Sequence, residues 1–315
     1  MIDKQAIDLS IIVVSWNVCD LLRKCLKSIE QGKADLNVEV IVVDNASSDG
    51  SQNMVRDEFP TVKIDAQSEN VGFPRGNNLG LENAKGRYFL LLNPDTEVVD
   101  DALSILVQYL EDHPAVGLVA GQLLNPDGTI QSSIRRFPTV ATGLFESTWL
   151  QGLAPRRLLD RYYFADAPTD TAVEVDWVVG ACMMVRKELI EQVGLLDEAY
   201  YMYSEELDWC KRIKSDGWQI VYLPTAQIIH HAGKSSEQAV PERHVNFQRA
   251  KLRYFRKYHG PLVTLLIRVV LLANYFEQLI IELIKGLFGH KRDMRQQRVA
   301  AYWKVLRSGL PPAGY

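Results

Sequence analysis

The sequence predicts an α/β protein built on a mostly parallel sheet with flanking helices. Three observations carry this. Short β-branched runs alternate with helically spaced segments through the first half of the chain. The strand-like runs are almost continuously apolar, as expected of strands covered on both faces. The 315 residues are 47% hydrophobic and 23% charged, enough apolar material for a full core and too much for a disordered or fibrous chain. Strand–helix–strand alternation returns the chain to the same end of the sheet each time, so successive strands run parallel.

LSIIVV (9–14) forms the first strand, and residues 19–31 then repeat apolar side chains every three or four positions, as a helix does. VEVIVV (38–43) is the next strand, 74–85 the next helix, RYFLLL (87–92) a strand, 100–113 a helix and VGLVA (116–120) a strand. A less regular region, 121–174, is punctuated by Pro126, Pro138, Pro155 and Pro168. It is followed by a long apolar segment, VDWVVGACMMV (175–185), an acidic helix start, SEELDWCKRI (204–213), and strand-like runs around 219–223 and 226–230. The C-terminal part is helical in pattern, apolar from 262 to 288 and basic from 291 to 307. This shift in composition divides the chain into a domain at 1–260 and a helical extension at 261–315.

Lys and Arg total 35 against 39 Asp and Glu, so the net charge of −4 removes any global electrostatic case for a nucleic-acid partner. Cys19, Cys25, Cys182 and Cys210 share no CxxC spacing, which argues against a disulfide framework or a zinc site and suits a reducing compartment. The opening MIDKQAIDLS lacks the basic-then-apolar order of a secretory signal, so the cytoplasm is the expected location.

Ligands of such sheets bind beyond the carboxyl ends of the strands, which singles out the residues after each one. Ser15-Trp16-Asn17 and Asp44-Asn45-Ala46-Ser47-Ser48-Asp49 can hold the polar edge of a base or ribose; equally, Ser48 or Asp49 can cap the next helix. In 69–78, Gly72 and Gly76 permit unusual backbone angles and Arg75 offers a cation to a phosphate, or the segment is a turn and a cap. Asn93-Pro94-Asp95 directly follows a buried strand, where a carboxylate needs a cation or donors, and its hard oxygens suit Mg2+ or Mn2+. Glu205, Glu206 and Asp208 place three acids in four residues, as a general base in a cleft or as carboxylates favouring a helix start. His230 can ligate a metal, touch a phosphate or simply hydrogen-bond.

Together and in this order, five motifs resemble the inverting glycosyltransferases of family 2. They are SIIVVSWN (10–17), VIVVDNASSDGS (40–51), ENVGFPRGNNLG (69–80), LLLNPDTEV (90–98) and WVVGACMMVR (177–186), the last followed by the acidic helix and HHAGKS. The resemblance covers about residues 8–260 and is strongest to the bacterial rhamnosyltransferase-like branch. It implies the GT-A fold, a Rossmann-like mixed, mostly parallel sheet with flanking helices. It implies metal-dependent transfer of a sugar, rhamnose first, from a dTDP- or UDP-sugar to a hydroxyl of a glycan or lipid-linked glycan, in cell-surface polysaccharide synthesis. Asp44 would contact the nucleotide base, with Ser15, Asn17 and Asn45 around it, while Gly72, Arg75, Gly76 and Asn77 would border the diphosphate or ribose. Asp95 ends a DxD-type motif in which Asn93 stands where many relatives carry aspartate, and would hold Mg2+ or Mn2+ with His230, the histidine of an H-x-x-G-x-S pattern completed by Gly233 and Ser235. Trp177 and Gly180 would shape the acceptor side. The usual base is the aspartate of a Glu-Asp pair; the pair here is Glu205-Glu206, which implies Glu206 as base and a supporting or acceptor-binding Asp208. A sugar nucleotidyltransferase is the lesser alternative, since Ser15-Trp16-Asn17-Val18 lacks its glycine-rich signature. A non-catalytic sugar-nucleotide-binding or scaffold protein of the same fold is kept open by the Asn-for-Asp and Glu-for-Asp changes.

In the C-terminal part, Arg268, Glu277, Glu282 and Lys285 interrupt the apolar run, and charges within a span are expensive. At about 100° per residue, Thr264, Arg268, Asn274, Gln278, Glu282 and Lys285 share one side and leave a wide apolar face. Such a helix lies in a membrane interface, packs on the catalytic domain or forms a homodimer. The basic run after it suits either anionic lipid, on the inner face of the cytoplasmic membrane, or a solvated face.

Overall fold

The computed structural model describes residues 6–146, 148–232, 240–287 and 292–314, so Gly233 and Ser235 lie outside the described residues. Two compact units are present. One comprises 6–137, 166–198 and 206–232, the other 138–165, 199–205 and 240–314.

The first unit begins with β1 (Leu9–Ser15), α1 (Cys19–Gly32), β2 (Val38–Asp44), α2 (Ser51–Glu58), β3 (Lys63–Ala66) and α3 (Phe73–Asn83). It continues with β4 (Tyr88–Leu92), β5 (Thr96–Val98), α4 (Ala102–Asp112), β6 (Val116–Leu124) and β7 (Ile134–Arg135). The chain then enters the second unit through α5 (Val140–Phe145) and α6 (Arg156–Tyr163). It returns to the first with β8 (Val173–Glu174), β9 (Trp177–Val178), β10 (Cys182–Arg186) and α7 (Lys187–Val193), followed by α8 (Glu205–Ser215) and β11 (Gln219–His230). The second unit closes with α9 (Val240–Leu287) and α10 (Arg292–Ser308).

The main sheet has the order β3-β2-β1-β4-β10-β6-β11-β5, with β8 paired to β11. The first four strands run parallel, as do β6 and β11, while β10 lies antiparallel between β4 and β6. The four strands expected from apolar runs are β1, β2, β4 and β6, and β1 and β4 are buried at every position. Leu9, Ile11 and Val13 of β1 pack with Leu22, Leu26 and Ile29 of α1 and Leu103, Leu106 and Leu110 of α4.

Two expected elements differ in detail. The segment 175–185 is two strands, β9 and β10, separated by a turn at Gly180 in which the Ala181 N–H donates to the Val179 carbonyl at 2.8 Å. The runs 219–223 and 226–230 are one strand, because a register shift between Leu223 and Gln227 accommodates Pro224, which has no N–H for the ladder.

In the second unit α9 is two helices joined at Gly260, whose φ of 84° breaks the helix just before Pro261. Its later half buries a mixed stripe, in which Ile267, Leu271, Tyr275 and Leu279 lie beside polar residues. Thr264, Asn274 and Glu282 are buried, while Leu262, Leu266, Val269, Phe276, Ile280 and Ile284 are exposed. The inward polar groups have partners: Asn274 Oδ1 accepts from the Trp149 N–H at 2.9 Å, Arg268 Nε donates to the Gly309 carbonyl at 2.7 Å, and Glu282 pairs with Arg295 at 2.8 Å and Arg298 at 3.2 Å.

Candidate active site

The carboxyl ends of β2, β1 and β4 lie side by side, Ser15 being the register partner of Asp44 and Ile12 that of Leu91. Four buried oxygens collect at these ends without a partner among the described residues: Ser15 Oγ, Asp44 Oδ2, Asn45 Oδ1 and Asn93 Oδ1. A buried polar atom left unpaired costs about 1–3 kcal/mol, so a cluster of four marks a place prepared for donors that arrive with a ligand. The other atoms of these groups are held in place. Asp44 Oδ1 accepts from the Ser47 N–H at 2.9 Å and Gln52 Nε2 at 2.8 Å, and Asn45 Nδ2 donates to the Gly72 carbonyl at 3.2 Å.

Neighbouring polar residues build the walls. Asn17, with φ 51°, accepts at its Oδ1 from the Ser48 N–H at 2.7 Å and ties the two strand-end loops together. Asp49 takes the capping role weighed for it: its carboxylate accepts the Cys19 N–H at 2.7 Å and the Ser51 N–H at 3.1 Å, at the starts of α1 and α2. Burial pushes its pKa up, but these N–H groups and the Ser51 hydroxyl outweigh that and hold it below the usual carboxylate range.

Gly72 has φ 87°, as expected of a residue needing an unusual backbone angle. Gly76 does not, and here the expectation is corrected: it is helical, and a Cβ on it would lie 2.8 Å from Val14 Cγ1. Its small size lets α3 lie against β1. Asn77 is buried and donates to the Phe73 carbonyl one turn back at 2.9 Å. Arg75 is engaged by carboxylates, with Nη1 3.0 Å from Glu198 Oε1 and 3.9 Å from Glu82 Oε1.

Asp95 and His230 meet, with Asp95 Oδ1 3.4 Å from His230 Nε2. A residue outside every sequence motif sets this geometry. Gln131 Nε2 donates to the Asn125 side-chain oxygen at 2.8 Å and to the His230 carbonyl at 2.5 Å, which turns Gln131 Oε1 toward His230 Nδ1 at 2.9 Å. An oxygen acceptor there calls for a proton on Nδ1, so that in the neutral ring Nε2, on the side of Asp95, carries the lone pair. A carboxylate oxygen and an imidazole lone pair at this separation fit a shared divalent cation, and a histidine steadied through its other nitrogen is the usual arrangement of a metal ligand. No cluster of three or more His, Cys, Asp or Glu suited to a metal occurs among the described residues. Two protein ligands are what a cation needs when phosphate oxygens and water fill its other positions. His231 turns elsewhere, its Nε2 2.6 Å from Glu97 Oε1.

The Asn93 N–H donates to the Ala181 carbonyl at 3.0 Å, which connects the end of β4 to the turn at Gly180. A Cβ on Gly180 would stand 3.5 Å from Glu206 Cβ, so the half-buried Glu206 side chain lies against this turn. Asp208 is fully buried, and its Oδ2 holds Arg212 Nε at 3.1 Å while that guanidinium donates to the carbonyls of Val193 and Leu195. Trp177 Nε1 donates to the Arg136 carbonyl at 3.0 Å. Glu205 is buried and belongs to the second unit.

The sequence profile of glycosyl transferase family 2 matches residues 10–194, more than half of the chain. The chain belongs to glycosyltransferase family 2. It is rhamnosyltransferase-like in sequence. A relative from Mycobacterium tuberculosis, N-acetylglucosaminyl-diphospho-decaprenol L-rhamnosyltransferase, is 25% identical over 280 residues, 78% of this chain and 88% of its own. The rhamnosyltransferase WbbL of Escherichia coli (strain K12) is 26% identical over 231 residues, 70% of this chain and 83% of its own. Among solved structures, the mannosyltransferase PcManGT from Pyrobaculum calidifontis, in complex with GDP-Man and Mn2+, superimposes with a TM-score of 0.56 at 17% identity, over 97% of this glycosyltransferase and 88% of the other chain. That likeness establishes the GT-A fold.

Within the glycosyltransferase, motif reasoning missed Gln131. It lies in the irregular region 121–174, 99 residues before the histidine it orients, and no periodicity or spacing marks it.

Proposed function

We propose that this glycosyltransferase moves a sugar, rhamnose first among candidates, from a nucleoside diphosphate to a hydroxyl of a glycan or lipid-linked glycan, with inversion at the anomeric carbon. The observation that carries the reading is the set of four unpaired buried oxygens beside the Asp95–His230 pair. The two rhamnosyltransferase relatives support the sugar, and the mycobacterial one, which acts on a polyprenyl-linked substrate by its name, supports a lipid-linked acceptor.

Asp44 Oδ2 accepts an N–H of the nucleotide base, such as the N3–H common to uracil and thymine, with Ser15, Asn17 and Asn45 at the rim. The diphosphate lies along Gly72 and Asn77 and competes with Glu198 for Arg75. Asp95 and His230 hold Mg2+ or Mn2+, which when bound supplies positive charge to the diphosphate oxygens. Glu206 takes the proton of the acceptor hydroxyl as its oxygen attacks the anomeric carbon opposite the leaving diphosphate, and Asp208 keeps α8 in place through Arg212. No covalent enzyme intermediate is required.

The test is a thermal-shift screen of nucleotide sugars with Mn2+ present. A ligand at a hundred times its Kd adds ~2.7 kcal/mol of stability, a shift of several degrees. Stabilisation by a dTDP- or UDP-sugar is expected, and failure of every nucleotide sugar to stabilise the protein would overturn the reading.

The later half of α9 supports attachment to the inner face of the cytoplasmic membrane. Thr264, Asn274 and Glu282 are buried inside the second unit with Ile267, Leu271 and Leu279, and Leu262, Leu266, Val269, Phe276, Ile280 and Ile284 form an outward stripe that an apolar phase would cover. Helix 242–286 is long and apolar enough to cross a bilayer by length and composition alone, but its buried charges and their partners fit an interfacial position better. Changing Leu262, Leu266 and Val269 together to serine is expected to abolish co-flotation with anionic vesicles. Unchanged flotation removes this face from membrane binding, and a halved solution mass assigns it to a homodimer instead.

A further inference from the structure

A cavity of 370 Å³ opens within the second unit, and its walls are unlike those of a protein core. Tyr203, Phe247, Tyr275 and Tyr302 line it, with no aliphatic side chain and no carboxylate among the described lining residues. The polar lining is mostly neutral amide, from Gln248, Asn274 and Gln278, with Arg243 as its cation. Gln248 is 4% exposed; its Nε2 donates to Tyr275 Oη at 3.2 Å, and its Oε1 is buried with no partner among the described residues. Gln248 thus lines a space of ligand size and carries an amide oxygen whose capacity to accept is unused among the described residues.

The chemistry of the walls selects the occupant. Aromatic faces suit the C–H faces of a sugar ring, and amides that donate and accept suit hydroxyls that do the same. A polyprenyl chain would call for aliphatic walls, and a diphosphate for more cations than Arg243. His244 lies 3.1 Å from Tyr275 Oη, and burial, then Arg243, lowers its pKa, so it adds a polar but uncharged group.

Tyr203 stands three residues before Glu206 in the sequence. Tyr203 and Ser204 have φ values of 73° and 61°, two consecutive non-glycine residues in the left-handed region, a strain of about 1–3 kcal/mol each that a structure keeps for a purpose. The strained link delivers the Tyr203 ring edge-on to Phe247, at 5.6 Å between centroids.

We propose that this cavity binds a pyranose unit of the acceptor, an inference that rests on the glycosyl-transfer reading above. The experiment uses the full chain, without nucleotide or metal, and a panel of methyl glycopyranosides (glucoside, galactoside, mannoside, rhamnoside and N-acetylglucosaminide) observed by saturation-transfer NMR. At least one is expected to bind the wild type. Gln248→Leu and, separately, Arg243→Ala are each expected to weaken that glycoside about threefold to tenfold, the worth of a hydrogen bond. Arg243 is exposed, so its variant keeps the test open if Gln248→Leu does not fold. Absence of binding by the wild type, or full binding by both folded variants, overturns the proposal. The donor thermal shift is read on the same samples. A donor shift without glycoside binding sinks the cavity alone, and glycoside binding without any donor shift sinks the acceptor assignment together with the transfer reading.

Discussion

Glu206→Gln is expected to lower kcat at least tenfold, within the ~10²–10⁴-fold that general-base assistance typically supplies, while donor affinity barely changes. Glutamine preserves the size of the side chain and its contact with the Gly180 turn, where the nearest approach of a Cβ is an ordinary 3.5 Å, but cannot accept the acceptor's proton. Because the loss concerns a proton moved only in the reaction, kcat and kcat/KM should fall together. Near-normal turnover would remove Glu206 from the role. A larger loss in Glu205→Gln would transfer the role to that neighbour, the residue matching the glutamate of the usual Glu-Asp pair.

Asp95→Asn is expected to be as damaging by a different route. It removes the carboxylate charge from the proposed two-residue ligand set and should lower turnover on the order of 10²–10³-fold, with Mn2+ binding weakened in parallel. Electron paramagnetic resonance of free Mn2+, titrated with protein and UDP, reports the binding apart from activity. Gln131→Met provides the companion measurement. With its Oε1 gone, His230 is no longer held as the Nδ1–H tautomer, and Mn2+ affinity should drop ~10–100-fold although both ligands remain. Unaltered Mn2+ affinity in Asp95→Asn would dissociate the pair from metal binding.

Much of the catalytic unit was legible because its strands are buried on both faces. β1, β2, β4 and β6 had to be apolar at nearly every position, and the residues at their carboxyl ends then had to include any ligand contacts. Asp44, Ser15 and Asn93, whose buried oxygens lack partners among the described residues, were singled out in this way. The short elements α2 and β3 were not, since SQNMVRDE buries only three residues and KIDA none, leaving too little apolar periodicity to read. Gly76 was assigned a conformational reason that belongs to Gly72 alone. A glycine that permits a backbone angle and one that permits a close approach are identical in sequence, and only the position of Val14 separates them.

The amino-acid pattern by itself determined the family, the order of the main strands and helices, and the polar and apolar stripes of the C-terminal helix, because each depends on local spacing. Which stripe turns inward did not follow from spacing. Ile267, Leu271 and Leu279 are buried together with Asn274 and Glu282, which can join them because the Trp149 N–H, Arg295 and Arg298 come to meet them, and a helix carries no record of partners that lie 125 residues away, as Trp149 does from Asn274. The same holds for the orientation of the His230 ring, whose Nδ1 is met by Gln131. Hydrogen-bond partners across the fold are a property of packing, and until the chain has folded there is nothing at those positions to accept or donate.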